Sequence, residues 1–383
     1  MTLAVSRRLI LGAAAFGACA SGAGASGEGA ASAAAAGFDA VVLKAGQGRR
    51  PQGVAVYPDL TAAIAAAPAE GTQPFRILIG RGIHEGQVVV DKPFIHLIGE
   101  DRAGSVINHL AASGLAAPDG RTWGTSRTAT LFVRAPDFHA RNLTISNAFD
   151  GLAEMTKPGG LSSDDGAGPQ GVALMLDRGS DRTVIRDCDI LGYQDTLFPN
   201  VGSALFERSL IVGSYDFIFG AGRVWFEACE IRSRPRPVAT VEGPVEGYIA
   251  APSTPIDQPF GFVFHRCRLT KEAGTARRSV YLGRPWRPSS RFPDGRYGDP
   301  RFVAAACFLD CWMDDHIAPA GWTEMWFTGR DGNPRTMLQP EDVRFSQHGS
   351  QGPGRAPFRR GATLTDADAA RITRAAVLGA AIG

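Results

Sequence analysis

The chain has 383 residues, with 40 Lys+Arg against 38 Asp+Glu and 7 His, a formal net charge of +2. No basic stripe runs along it, so nucleic acid is excluded as an expected partner. With 44% hydrophobic and 20% charged residues it is globular rather than disordered, and 47 Gly and 25 Pro imply many turns.

The chain opens MTLAVSRRLILGAAAFGACASGAGAS. Arg7 and Arg8 precede an apolar run from Leu9 to Ala18, and small residues follow at Ala18-Cys19-Ala20 and Ala23-Gly24-Ala25. That order of charged, apolar and small residues is an export signal over 1–25 rather than an ordinary helix. Ser6-Arg7-Arg8-x-Ile10-Leu11 resembles the twin-arginine type, which carries a protein out of a bacterial cytoplasm to the periplasm or beyond. Lipidation at Cys19 is disfavoured, because Phe16-Gly17-Ala18 fits a lipobox poorly. Removal of 1–25 takes away two arginines and no acid, leaving 38 against 38. Residues 26–37, rich in Gly, Ala and Ser, read as a flexible leader. Beyond residue 25 no stretch is long and apolar enough to span a bilayer.

Residues 38–383 read as one solenoid domain. Thr61–Ala67, after Tyr57-Pro58-Asp59-Leu60, is a short helix suited to capping one end. Val88–Val90, Ile95–Ile98 and Thr130–Val133 are strand candidates. A repeat of the form apolar-x-x-Cys/Ser-x-apolar then recurs. It appears at Ile185–Ile190, Phe206–Ile211, Phe226–Ile231, Phe264–Leu269 and Phe308–Met313, with a looser copy at His139–Thr144. Its fourth positions are Cys188, Ser209, Cys229, Cys267 and Cys311, spaced 21, 20, 38 and 44 residues apart. A period near 20 with occasional insertions is the signature of a stacked β-solenoid, whose loops lengthen without disturbing the stack. A β-sandwich with coincidental cysteines is the competing reading. The long segments 149–169, 232–258, 287–301 and 328–361 read as loops, and Leu364–Leu378 as a second helix capped by Thr365 or Asp366.

Beyond the export signal lie five cysteines, an odd number, so at least one thiol is free. Four of them share one rung position and form an inward column of buried thiols. Cys229–Cys267 is the one pair left open to bonding.

The repeat also places two acids. Asp195 follows Cys188 by seven residues, and Asp216 follows Ser209 by seven. Equivalent positions on adjacent rungs of a parallel sheet are about 4.8 Å apart. Two carboxyls that close do not both ionise cheaply, so one rises in pKa while the other stays low. That is a general acid beside a nucleophile. Two solvated aspartates in turns are the alternative, but the flanking Tyr193, Phe198, Tyr215, Phe217 and Phe219 argue against it.

Several motifs then fall in a familiar order: Gly82-Ile-His-Glu85, Gly124–Thr130, Gln170–Leu174, Gly192–Leu197, Asp216–Gly220 and Leu282–Trp286. Gly321-Trp322 and Gly352-Pro-Gly354 follow. In them the chain resembles the pectin methylesterases, right-handed parallel β-helix enzymes that hydrolyse the methyl esters of polygalacturonate. The resemblance implies Asp216 as nucleophile and Asp195 as general acid, then base. It implies Gln170 and Gln194 as amide donors to the oxyanion. It makes Arg284 the partner that holds the nucleophilic carboxylate. Thr125, Phe219 and Trp286 are implied as substrate contacts, with Trp286 stacking on a sugar. The implied substrate is the polysaccharide pectin, the protein is expected to be a monomer, and neither metal nor cofactor is called for. No His/Cys cluster stands at metal spacing and no Gly-x-Ser-x-Gly elbow supports a Ser–His esterase.

The chain departs from the family at His84 (often Tyr), Gly171 (often Ala) and Gln347-His348 (usually Glu-Tyr). Ser209 stands where many relatives have a cysteine able to partner the one at Cys188, so that bridge is expected to be absent. Two rival functions remain: a same-fold esterase or thioesterase on a non-pectin ester, and a non-catalytic pectin-binding β-helix.

Overall fold

One backbone device turns six successive coils. At Asn142, Asp187, Arg208, Ala228, Arg266 and Asp310 the chain adopts positive φ, between 48° and 56°. The residue that follows each of them swings into the interior. Those inward residues are Leu143, Cys188, Ser209, Cys229, Cys267 and Cys311. The repeat seen in the sequence is therefore a corner: a strand, one left-handed residue, one inward small or apolar residue, and the next strand. The computed structural model describes residues 37–44, 53–161, 168–236, 239–240, 243–355 and 357–382. The proposed export signal and nearly all of the leader lie outside these residues.

Around these corners most of the described strands form three parallel sheets of 12, eight and seven strands. We call them sheets I, II and III. In one coil they are Thr183–Arg186, Asp189–Leu191 and Leu197–Pro199; in the next, Ser203–Glu207, Leu210–Gly213 and Ile218–Gly220. Register carries Ile185 onto Phe206, Ile190 onto Ile211 and Leu197 onto Ile218. The fold is a right-handed parallel β-helix, the hand expected of parallel crossovers.

Stacking identical positions fills the core with ladders. Phe206, Phe226, Phe264 and Phe308 stack at centroid spacings of 5.1, 4.5 and 4.4 Å. Cys188, Cys229, Cys267 and Cys311 form the expected buried column, and all are free. The open Cys229–Cys267 pair is not bonded. Instead the thiols of Cys229, Cys267 and Cys311 donate to the carbonyls of Phe206, Phe226 and Phe264 on the preceding rung. Burial pushes the Cys188 thiol up to about 12, as suits a packing group rather than a reactive one. Cys307 is apart from the column, on the outer face of sheet I beside Val263 and Leu309.

The structure revises several sequence expectations. The looser repeat is shifted by one: Ala140, not His139, pairs with Ile185, and Leu143 takes the inward place assigned to Asn142. The first helix is Leu60–Ala65, capped by the Asp59 side chain through the Ala62 N–H. The expected helix over 364–378 is two pieces, Asp366–Ala369 and Arg374–Leu378. Thr365 caps the first and Thr373 the second, and a hydroxyl that caps a new helix ends the old one. This C-terminal segment packs Val377, Leu378 and Ile382 on Val184, Leu205 and Trp225 of sheet I.

The expected loops also hold structure. Segment 149–169 contains a helix, Gly151–Met155, and 232–258 contains the strand Gly247–Pro252. Segment 287–301 is an antiparallel hairpin, Ser289–Phe292 with Gly295–Gly298. A second hairpin pairs Met325–Phe327 with Thr336–Leu338, and Arg344–His348 is a sheet I strand. These pieces have three to six residues, too short for a periodic signal. His84 is buried, with Nε2 3.0 Å from the Gly80 carbonyl, so that departure from the family is a packing matter.

Candidate active site

The corner between sheets II and III carries the two acids. Asp195 and Asp216 themselves have positive φ, 62° and 48°. Asp is among the non-glycine residues that enter this region most readily. The Asp195 N–H donates to the Tyr215 carbonyl at 3.1 Å. Gln170, Gln194 and Tyr215 bridge in parallel on three successive rungs. The tight approach needs glycine before it. A Cβ on Gly213 would sit 2.2 Å from Phe217 Cβ and 2.7 Å from the Tyr193 carbonyl.

Both carboxyls are largely buried, Asp195 at 9% and Asp216 at 8% exposure. Arg284, just past the strand Val280–Gly283, grips Asp216 with both arms of its fork. Nε donates to Oδ1 at 2.9 Å and Nη2 to Oδ2 at 2.6 Å. Its guanidinium also lies over the rings of Tyr215 and Tyr248, at 4.7 and 4.1 Å. Burial opposes the Arg284 charge, but the neighbouring Asp216 outweighs it and raises its pKa. Asp195 has no such partner among the described residues. Burial, then the charge of Asp216, lift it well above the usual carboxyl range, with Arg284 opposing. The site thus sets a carboxyl that prefers its proton beside a carboxylate in a bidentate charge-assisted pair.

Two amides border this pair. The Gly168 N–H donates to Gln170 Oε1 at 3.0 Å, which engages the oxygen end and leaves the NH₂ end for the cleft. Gln194 is buried, and its Oε1 has no hydrogen-bond partner among the described residues. Below them lies an apolar floor. Phe198 and Phe219 stack at 4.1 Å, and Trp286 tilts against them at 6.2 and 5.8 Å.

All eight residues nominated from the sequence line one cleft of about 510 Å³: Thr125, Gln170, Gln194, Asp195, Asp216, Phe219, Arg284 and Trp286. Its volume is that of a ligand site. Sequence reasoning gave no site role to Phe198, Tyr215, Met325 or Trp326, which line it too. Phe198 was within reach, since it follows Asp195 by three residues as Phe219 follows Asp216. Just before the Ser289–Gly298 hairpin, Arg287 turns to the scaffold. It donates to the Phe302 carbonyl and lies 4.7 Å over Phe327, while Arg291 is exposed. Trp322, from the Gly321-Trp322 motif, is wholly buried and stacks on Phe345 at 4.2 Å, a core role.

A parallel β-helix with buried acids, amides and an aromatic floor in one cleft places the chain among the β-helix carboxylic ester hydrolases. The chain belongs to the pectinesterase family, whose sequence profile matches residues 50–376. It is 39% identical to Pectinesterase A of Dickeya dadantii (strain 3937) over 344 residues, 89% of this chain and 91% of that protein. It superposes on the pectin methylesterase of Erwinia chrysanthemi with a TM-score of 0.80 at 38% identity, covering 89% of this chain and 96% of the other. The carrot pectin methylesterase gives a TM-score of 0.67 at 25% identity over 90% and 94%. A pectin methylesterase solved in complex with a hexasaccharide gives 0.81 at 38% identity over 90% and 97%.

Proposed function

We propose that this protein hydrolyses the methyl esters of pectin to pectate and methanol, with Asp216 as nucleophile and Asp195 as general acid and base. The observation that supports it best is the asymmetry of the pair, one acid gripped by Arg284 and the other driven towards its protonated form. An Asp216 oxygen attacks the ester carbonyl carbon. The carbonyl oxygen gains charge and is met by the amide N–H groups of Gln170 and Gln194. The C–OCH₃ bond breaks as Asp195 gives its proton to the departing methoxide, releasing methanol and leaving an acyl anhydride on Asp216. Asp195, now a carboxylate, takes a proton from water as that water attacks the acyl carbon. The uronic acid leaves, giving its remaining proton to solvent to become uronate, and both aspartates return to their starting states. Thr125 and the Phe219–Trp286 floor hold the sugar.

The twin-arginine-like run at Ser6–Leu11 supports export to the periplasm or medium as the working location. No helix among the described residues is long and apolar enough to cross a membrane. The deciding measurement is methanol release from methylated pectin by the chain from residue 26 onward, beside hydrolysis of simple acyl esters. Release from pectin and not from simple esters is expected. Turnover of simple esters alone would assign a different ester, and no turnover of either would leave only a pectin-binding role.

A further inference from the structure

Six large apolar side chains are exposed among the described residues, and two of them face each other on one hairpin. Trp326 is 50% exposed and Met337 44%, and they are directly opposed cross-strand partners in the pairing of Met325–Phe327 with Thr336–Leu338. Singly exposed apolar residues are ordinary, but an indole and a thioether side by side at the rim of a cleft are not. Trp326 lines the same cleft as Asp195 and Asp216, and Met325 lines it one residue away.

The hairpin is firmly seated. Leu338 is buried, and Phe327 packs on Gly298, where a Cβ would come within 2.3 Å of its ring. Arg287, just before the neighbouring hairpin, covers Phe327. Arg330 ties the two hairpins together through Asp294, Nε to Oδ2 at 2.7 Å. Trp326 and Met337 therefore sit on a preorganised support and are not a frayed edge. The Arg335 guanidinium lies 6.0 Å from the Trp326 ring centroid, at the limit of a cation–π contact, and leaves half of that residue exposed.

The geometry points to a rim subsite in which Trp326 and Met337 hold the apolar face of a methyl-esterified pyranose outside the reacting position. It rests on the pectin reading of the cleft. An indole offers a flat apolar surface at small entropic cost, and the thioether shapes itself to a methyl group. A methyl ester has lost the charge that makes a free uronate costly to place on such a shelf. The occupant is thus a chain still esterified beyond the sugar being hydrolysed, with Trp286 on the floor and Trp326 on the rim reading different sugars.

Trp326→Ala and Met337→Ser test this by steady-state methanol release from highly methylated pectin and from short methylated oligogalacturonides. Wild-type release is the control for the pectin reading itself, so its failure is seen separately. With that control met, Trp326→Ala is expected to raise KM on long methylated substrate by about three- to tenfold. The loss falls on KM rather than on kcat, and shrinks on substrates too short to reach the rim. Trp326→Phe should recover most of it. In an Asp216→Ala background, binding of methylated oligogalacturonide should weaken with Trp326→Ala more than binding of the de-esterified form. An unchanged KM would overturn the subsite. Equal weakening for both forms would overturn the methyl-ester preference. A change in self-association, measured by sedimentation, in place of a change in KM would assign the face to a second copy of the chain and overturn it.

Discussion

Asp187 and Arg208 stand at one corner of two successive coils, and Asp195 and Asp216 at the next corner of the same two coils. All four are left-handed residues, with φ of 52°, 48°, 62° and 48°. At the first corner the stacked pair has opposite charges and lies at the surface. Arg208 bonds Asp187 at 2.9 Å, with both side chains about half exposed at 52% and 42%. At the second corner the stacked pair is two acids and is buried. The backbone requirement is the same at both corners, so it explains neither choice of side chain. Opposite charges on adjacent rungs lower the energy of a solenoid at no risk, whereas two buried carboxyls raise it. That a chain keeps the costly arrangement at one corner beside the cheap one at the other supports the proposal that its chemistry lies at the second.

The largest effect expected is at the second corner. Asp216→Ala and Asp216→Asn should lower kcat by more than about 10⁴-fold, and Asp195→Ala by roughly 10²–10⁴-fold. Circular dichroism should show the solenoid retained in each. The two acids should differ in stability as well. Removing Asp216 leaves Arg284 buried without its partner, a loss on the order of 3–5 kcal/mol. Removing Asp195 strands no opposite charge. Denaturant unfolding that ranked Asp195→Ala as the more damaging of the two would break the assignment of roles.

Arg284→Lys comes next. A point charge does not reproduce the two-armed grip on Asp216 or the stacking on Tyr215 and Tyr248. We expect kcat to fall by about tenfold or more, since a bidentate charged pair is worth more than a single contact. A change in KM alone would mean that Arg284 only binds substrate.

A smaller effect, of defined sign, concerns pH. The Asp195 carboxyl is raised by burial and by Asp216, so the native state resists its ionisation while the unfolded chain does not. Native stability is therefore lost as pH climbs from the ordinary carboxyl range through the raised value. Asp195→Asn cannot ionise and should escape that loss. Its Tm should match the wild type near pH 4 and exceed it near pH 8. Parallel curves at all pH values would show that Asp195 ionises freely in the folded protein.

How much of this was legible before the structure differs between the coil and what is hung on it. The coil is periodic, so a fixed offset of seven residues from Cys188 and from Ser209 located both acids. The same arithmetic reached its limit at Asn142. A polar residue there resembled the repeat's fourth position, although φ of 56° makes it the third. Met325 and Trp326 were invisible for a different reason. They sit on a hairpin outside the solenoid, where no period constrains position, and only tertiary packing brings them to the cleft. The C-terminal helices failed through local competition, because Thr373 offered a cap in the middle of an otherwise helical stretch.

The smallest expected effect is at the first corner, and it completes the contrast. Arg208→Ala removes the bonds to Asp187 and to Glu207, yet the Asp187 that it leaves behind is 42% exposed and can be rehydrated. An exposed pair of this kind is screened by solvent and salt, so the stability change should stay within about 0.5 kcal/mol. Methanol release should be unaffected, because the charge removed lies at a different corner from the cleft. Unfolding curves at low and at high salt provide the check, with any small difference vanishing at high salt. A loss of several kcal/mol, or a drop in kcat, would show that charge stacking along the first corner supports the second. The two corners would then be one coupled structure rather than independent uses of the same turn.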